Sequence, residues 1–204
     1  MKIQHRIWTM TAILGLAGAA DAQINDATFK CQKIIEKAVE KFVDGVADPI
    51  EKCLLAVQKC DLIDEDDPAG CKAKLLVPDK GACAVGKLAS DNTYFNGNSA
   101  FHHDPNSAAM IDKKYGKFID AVGKCDIPNV DFASLGLPTP ANAFELTDAL
   151  NMNPTGAACL AHKRVKVTLP NRDALVTDLT DEPDGVDNVP SGFLFALAGP
   201  GSCK

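Results

Sequence analysis

The sequence predicts an α+β protein, a disulfide-stapled helical bundle followed by a small antiparallel β unit. Three observations carry that expectation. Apolar residues recur at three- and four-residue steps through residues 26–46 and again through 108–122, the period of an amphipathic helix. Eight cysteines form an even set in a chain whose first 22 residues have the layout of an export signal. Arg164 to Leu169 alternates apolar and polar residues as a half-buried strand does.

In chain order, the opening segment comes first. Lys2, His5 and Arg6 precede an apolar run from Ile7 to Ala20, and Ala20-Asp21-Ala22 supplies a small-x-small cleavage site. The run is too short for a membrane-spanning helix. The full chain of 204 residues has 21 Lys and Arg against 27 Asp and Glu, a formal charge of −6. Removal of residues 1–22 leaves 19 basic and 26 acidic residues, a charge of −7, and takes away the single tryptophan, Trp8. An acidic chain without clustered Lys and Arg speaks against nucleic acid as a partner. The loss of Trp8 weakens aromatic-platform recognition of sugars or single strands. The 46% hydrophobic share excludes a disordered chain. The expected organisation is residues 1–22 as signal peptide, 23–125 as a stapled helical region, 126–158 as an irregular Pro-containing connector and 159–204 as the β-rich unit.

The first helix carries Phe29, Ile34, Ile35, Ala38, Val39, Phe42, Val43 and Val46 on one stripe, with charged residues between them. It should end near Gly45 to Ala47, because Asp48-Pro49-Ile50-Glu51 has the form of a new helix start: Asp as cap, Pro at the first position, Glu completing a capping box. The same Asp-Pro opening recurs at Asp67-Pro68 and Asp104-Pro105, the last preceding a helix that ends near Gly123 to Cys125. Lys41-Phe42-Val43-Asp44-Gly45-Val46 matches Lys117-Phe118-Ile119-Asp120-Ala121-Val122. The match suggests an internal duplication, although two amphipathic helices can converge this far by pattern alone. Four prolines thin the structure between 126 and 158, leaving one helical turn around Ala143 to Leu150. In the last third, Arg164 to Leu169 and Ala174 to Leu179 form the expected hairpin, and Gly192 to Ala198 is an apolar run of strand length.

The eight cysteines are Cys31, Cys53, Cys60, Cys71, Cys83, Cys125, Cys159 and Cys203, and none lies in a C-x-x-C pair, so zinc ribbons, thioredoxin chemistry and c-type haem lack their spacing. If the chain reverses at Ala47 to Pro49, Cys31 lies roughly 25 Å and Cys60 roughly 19 Å from the turn, whereas Cys53 lies only about 8 Å away. Bonded α-carbons must lie within about 7 Å, which favours Cys31 with Cys60. Cys159 and Cys203 bracket the β unit and form the natural second pair. The Phe29-Lys30-Cys31-Gln32-Lys33 opening and the Gln58-Lys59-Cys60 close resemble a loose group of uncharacterised exported bacterial proteins with cysteine-ended, Lys/Ala-rich helices. That resemblance implies export and stapling of helices by disulfides, and no site residues.

Chemistry-bearing clusters are few. No G-x-S-x-G elbow occurs, and the mature chain offers only His102, His103 and His162 as bases, so catalysis is poorly provided for. His102-His103-Asp104 contains zinc or copper ligands without an H-x-H or H-E-x-x-H spacing. Asp178, Asp181, Glu182, Asp184, Asp187 and Asn188 crowd around Gly185, material for an irregular calcium loop centred on Asp181, Asp184, Asp187 and Asn188; on an EF-hand register, Thr180 and Ser191 fall where acidic ligands belong. The loop from Ser90 to His103 mixes amides and aromatics, which makes Tyr94, Asn96, Asn98, His102 and His103 the candidate ligand-binding residues. The sequence therefore points to an exported, non-catalytic structural or binding module whose partner is a protein or small ligand. It needs no cofactor unless calcium occupies the acidic loop. An extracellular calcium-binding protein and a small secreted hydrolase are the alternatives.

Overall fold

A computed structural model describes residues 25–63, 67–77, 80–84, 87–88, 109–151 and 156–180. Its elements are α1 (Asp26–Ile63), α2 (Pro68–Leu76), α3 (Met110–Val122), 3-10 turns at Ile127–Asn129 and Ala133–Leu135, α4 (Ala143–Asn151), α5 (Ala157–Thr168) and α6 (Arg172–Thr180). The fold is helical, with no strand among the described residues.

Helix α1 is the spine. At 38 residues it is roughly 57 Å long, and α2, α3, α5 and α6 all pack against it. Its start follows from local chemistry. Asn25 Oδ1 accepts the Thr28 amide at 2.7 Å, and Thr28 Oγ1 in turn accepts the Asp131 amide at 2.8 Å, tying the first turn to the segment after the 3-10 turn. The expected break at Asp48-Pro49 does not occur: Pro49 lies inside one continuous helix. Proline there forfeits the amide hydrogen bond to Gly45, an interior cost of about 3 kcal/mol. Burial of Val46, Ala47, Pro49, Ile50, Cys53 and Leu54 on the core side offsets it. Asp48, expected as a cap, is instead an ion-pair partner of Arg164 on α5.

Continuity of α1 overturns the expected pairing of Cys31 with Cys60. On one helix these residues stand roughly 44 Å apart, and each bonds elsewhere. Cys31 pairs with Cys125 after α3, Cys53 with Cys83, and Cys60 with Cys71 on α2, at α-carbon separations of 4.9, 4.9 and 5.6 Å. Cys159 is also disulfide-bonded; Cys203, its expected partner, lies outside the described residues.

The Asp67-Pro68 start is borne out, with Asp67 accepting the Gly70 amide at 2.9 Å and Pro68 opening α2. Beside the Cys60 bond, Lys72 on α2 pairs with Asp61 on α1 at 2.8 Å. Farther on, the Cys83 amide donates to the Leu75 carbonyl, and a Cβ on Gly81 would lie 1.9 Å from that same oxygen, so this turn requires glycine. Helix α3 ends at Gly123 as expected and opens at Met110 behind an extended Ala109; the Asp104-Pro105 pair lies outside the described residues. The helical turn expected near Ala143 is α4. Asn142 Oδ1 accepts the Phe144 and Glu145 amides at 3.0 Å, and Glu145 Oε2 accepts the Ala141 amide at 2.7 Å.

The expected hairpin is replaced by α5 and α6. In a strand Val165 and Val167 would share a face; here Val165 is fully buried and Val167 is 81% exposed. The buried set Ala157, Ala158, Ala161, His162 and Val165 has the three- and four-residue spacing of a helix face against α1. Likewise Leu175 and Leu179, four apart, are both buried. The six-residue alternation from Arg164 to Leu169 also fits less than two turns of helix, and only the burial of Val165 against the exposure of Val167 separates the two. The run from Gly192 to Ala198 lies outside the described residues. Among the described residues one core cluster runs from Cys31 to Leu179.

Candidate functional site

The two matching hexapeptides face each other. Helices α1 and α3 lie antiparallel, with the Cys31–Cys125 bond at one end of their seam and Gly45 against the Lys114 stem toward the other. At the centre Phe42 and Phe118, both buried, stack with ring centroids 4.8 Å apart, and Tyr115 meets Phe42 edge-on at 6.1 Å. The Tyr115 hydroxyl donates to Asp148 on α4 at 3.2 Å, fixing that ring.

Along this seam opens a cleft of about 440 Å³ lined by Ala38, Lys41, Phe42, Asp44, Gly45 and Asp48 from α1 and by Lys114, Lys117, Phe118 and Ala121 from α3. Eight of the ten fall into equivalent pairs 76 residues apart: Ala38 with Lys114, Lys41 with Lys117, Phe42 with Phe118, and Gly45 with Ala121. Three of these pairs, Lys41 with Lys117, Phe42 with Phe118 and Gly45 with Ala121, belong to the matching hexapeptides, so both of them line the cleft. The small residues Ala38, Gly45 and Ala121 leave the room, and the lysines stand at its rim.

The cleft's two carboxylates are already engaged. Arg164, projecting from α5, pairs with Asp44, with Asp48 at 2.7 Å and with Glu51 at 3.6 Å. Residues 44, 48 and 51 share one face of α1, so a single guanidinium bridges them across Pro49. By contrast Lys41, Lys114 and Lys117 have no carboxylate partner among the described residues.

A second polar cluster joins α5 to the first turn of α6. His162 is 1% exposed, and its carbonyl accepts Arg172 Nη1 at 3.3 Å. Burial, and secondarily the Arg172 charge, push the imidazole down to about 3, so it is neutral at physiological pH. Arg172 also grips Asp173 at 2.5 Å, which holds that carboxyl below its ordinary value; Lys166 adds a contact at 3.2 Å. A histidine sealed this way cannot serve as a base for an external substrate.

Of the candidates read from sequence, Tyr94, Asn96, Asn98, His102 and His103, and the acidic set Asp181, Asp184, Asp187 and Asn188, lie outside the described residues. Among the described residues no group of three or more His, Cys, Asp or Glu is placed to hold a metal ion, and no helix is long and apolar enough to cross a membrane. Oxidised cysteines together with that helix content are compatible with an oxidising compartment. Sequence reasoning missed Lys41, Lys114, Lys117 and Arg164. The paired Lys-Phe positions of the two hexapeptides were the signal for the first and third. Comparison with protein families, curated proteins and solved structures gives no match for this chain.

Proposed function

We propose that this protein is an exported, non-catalytic binding module that presents the α1–α3 cleft to a small ligand. The observation that carries the reading is the cleft itself. Two matched helical segments enclose a volume within the range of small-molecule sites, about 300–1,000 Å³, on a spine cross-linked by disulfides at three points. Such a frame presents its side chains at little ordering cost on binding. Export is supported by the form of residues 1–22, by oxidised cysteines, and by the resemblance of the Cys31 and Cys60 segments to exported bacterial proteins.

The test is a protein-observed NMR screen of the exported protein against a small-molecule library. Bound compounds should shift amides in 38–48 of α1 and 114–121 of α3. Replacing the half-buried Ala121 by Trp fills the cleft and should abolish those shifts while the melting temperature stays within a few degrees. If every compound that binds maps elsewhere, or none binds, the cleft is only a packing feature and the proposal falls.

A further inference from the structure

We infer that the α1–α3 cleft is an anion site, built for a small ligand that carries two or more negative charges of the phosphate or carboxylate type. The inference rests on the binding-module reading and specifies its ligand class. Its basis is the way charge is divided in the cleft. Asp44 and Asp48 face the cleft, and both are bridged by Arg164 from the α5 side, with Glu51 completing the bridge. The carboxylates that could have neutralised the rim lysines are thereby drawn toward a different cation. Lys41, Lys114 and Lys117 remain without a carboxylate partner among the described residues, in a chain that carries a net charge of −6. Three lysines line one concavity, and the mutual repulsion of their charges is relieved by an anion and aggravated by a cation.

The cleft's shape narrows the ligand further. The Lys114 stem lies over Gly45, with Cβ-to-stem distances of 2.6 to 2.9 Å for any side chain introduced there, so glycine lets this lysine lean across α1 toward the cleft. Lys41 and Lys117 occupy equivalent positions of the two hexapeptides, so the site presents similar cationic groups from both walls. Two-sided presentation of compact, rotatable ammonium donors suits a ligand with separated anionic groups better than a monovalent one. The buried Phe42 and Phe118 rings, stacked 4.8 Å apart, give the cleft an apolar lining that offers no oxygen ligand to a metal cation.

The test uses the exported protein at constant ionic strength, with pyrophosphate and citrate as probes and chloride as the balancing salt. Amide shifts in 38–48 and 114–121 should saturate with at least one probe, and the probe that binds more tightly identifies the phosphate or the carboxylate source. The double variant Lys114→Gln/Lys117→Gln should weaken binding by roughly tenfold or more, as expected for loss of charge-assisted hydrogen bonds. Lys117→Arg should retain it. Lys59→Gln/Lys163→Gln, at exposed lysines outside the cleft, should change it less than about twofold if the contact is local. Equal weakening by the two double variants would reduce the effect to net charge and overturn the inference, as would shifts spread over lysines at large or no saturation with either probe. Benzyl alcohol, an uncharged aromatic probe, separates the two levels. If it fills the cleft while both anions fail, the anion site is wrong and the binding module stands; if all three fail and the library screen is empty, both fall.

Discussion

Helices α3 and α5 both lie on α1, yet they are held there by different means. α3 is attached covalently through Cys125 to Cys31 and by the stacked Phe42 and Phe118 rings. α5 is attached by an Ala-rich face, by the buried His162 and Val165, and by Arg164 reaching three carboxylates on α1. Its own cysteine, Cys159, is oxidised but bonds to none of the cysteines on α1. The difference separates two kinds of sensitivity. The α1–α3 seam, which forms the cleft, should respond to reduction and little to pH, and the α1–α5 seam should respond to acid and salt.

The largest effect should come from cutting the covalent seam. Cys31 and Cys125 are 94 residues apart, and releasing a loop of that size costs about 4.7 kcal/mol in the chain-entropy description, whereas the 11-residue separation of Cys60 and Cys71 gives about 2.8 kcal/mol. Cys31→Ser/Cys125→Ser should therefore be less stable in urea than Cys60→Ser/Cys71→Ser by about 2 kcal/mol. Equal losses would mean that the long bond does not organise the bundle.

Acid comes next, and it acts on the other seam. The folded His162 sits near 3 against an ordinary value of 6.5, so the unfolded chain takes up the proton first. Its stabilising contribution is complete above about pH 6.5 and declines as pH falls toward 3. Between pH 7 and pH 4 the loss should be of order 3 kcal/mol. His162→Leu should flatten that part of the profile in thermal melts. A profile as steep in the variant as in the wild type would place the acid sensitivity elsewhere.

The smallest effect should be that of Arg164→Met, about 1 kcal/mol at low salt, because the guanidinium is partly exposed and each pair is screened. Raising salt to about 1 M should bring the variant and wild type together. A gap that persists in high salt would show that the residue acts through packing of its stem rather than through charge.

Much of the local structure was legible because local chemistry decides it. The Asp67-Pro68 cap, the α4 turn and the apolar stripe of α1 follow from side chains within a few residues of each other. What failed depends on partners far along the chain. Asp48-Pro49-Ile50-Glu51 has every local mark of a helix start, yet Asp48 and Glu51 meet Arg164 more than a hundred residues later, and Ile50 and Pro49 are sealed in the core. One misplaced break then moved Cys31 next to Cys60. The strand reading of residues 164–169 failed for a related reason, since only the packing of α5 on α1 distinguishes buried Val165 from exposed Val167. For the site, the matched hexapeptides were visible as a repeat, but their meeting across the seam, and the capture of the Asp44 and Asp48 carboxylates by Arg164, required the tertiary arrangement.

The most direct test of α1 as one continuous, cross-linked spine is peptide mapping of the non-reduced protein by mass spectrometry. A continuous spine predicts linked peptides joining Cys31 to Cys125, Cys53 to Cys83 and Cys60 to Cys71, which leaves Cys203 as the partner of Cys159. A peptide joining Cys31 to Cys60 would require α1 to fold back at Pro49 and would contradict the seam, the cleft and the site together.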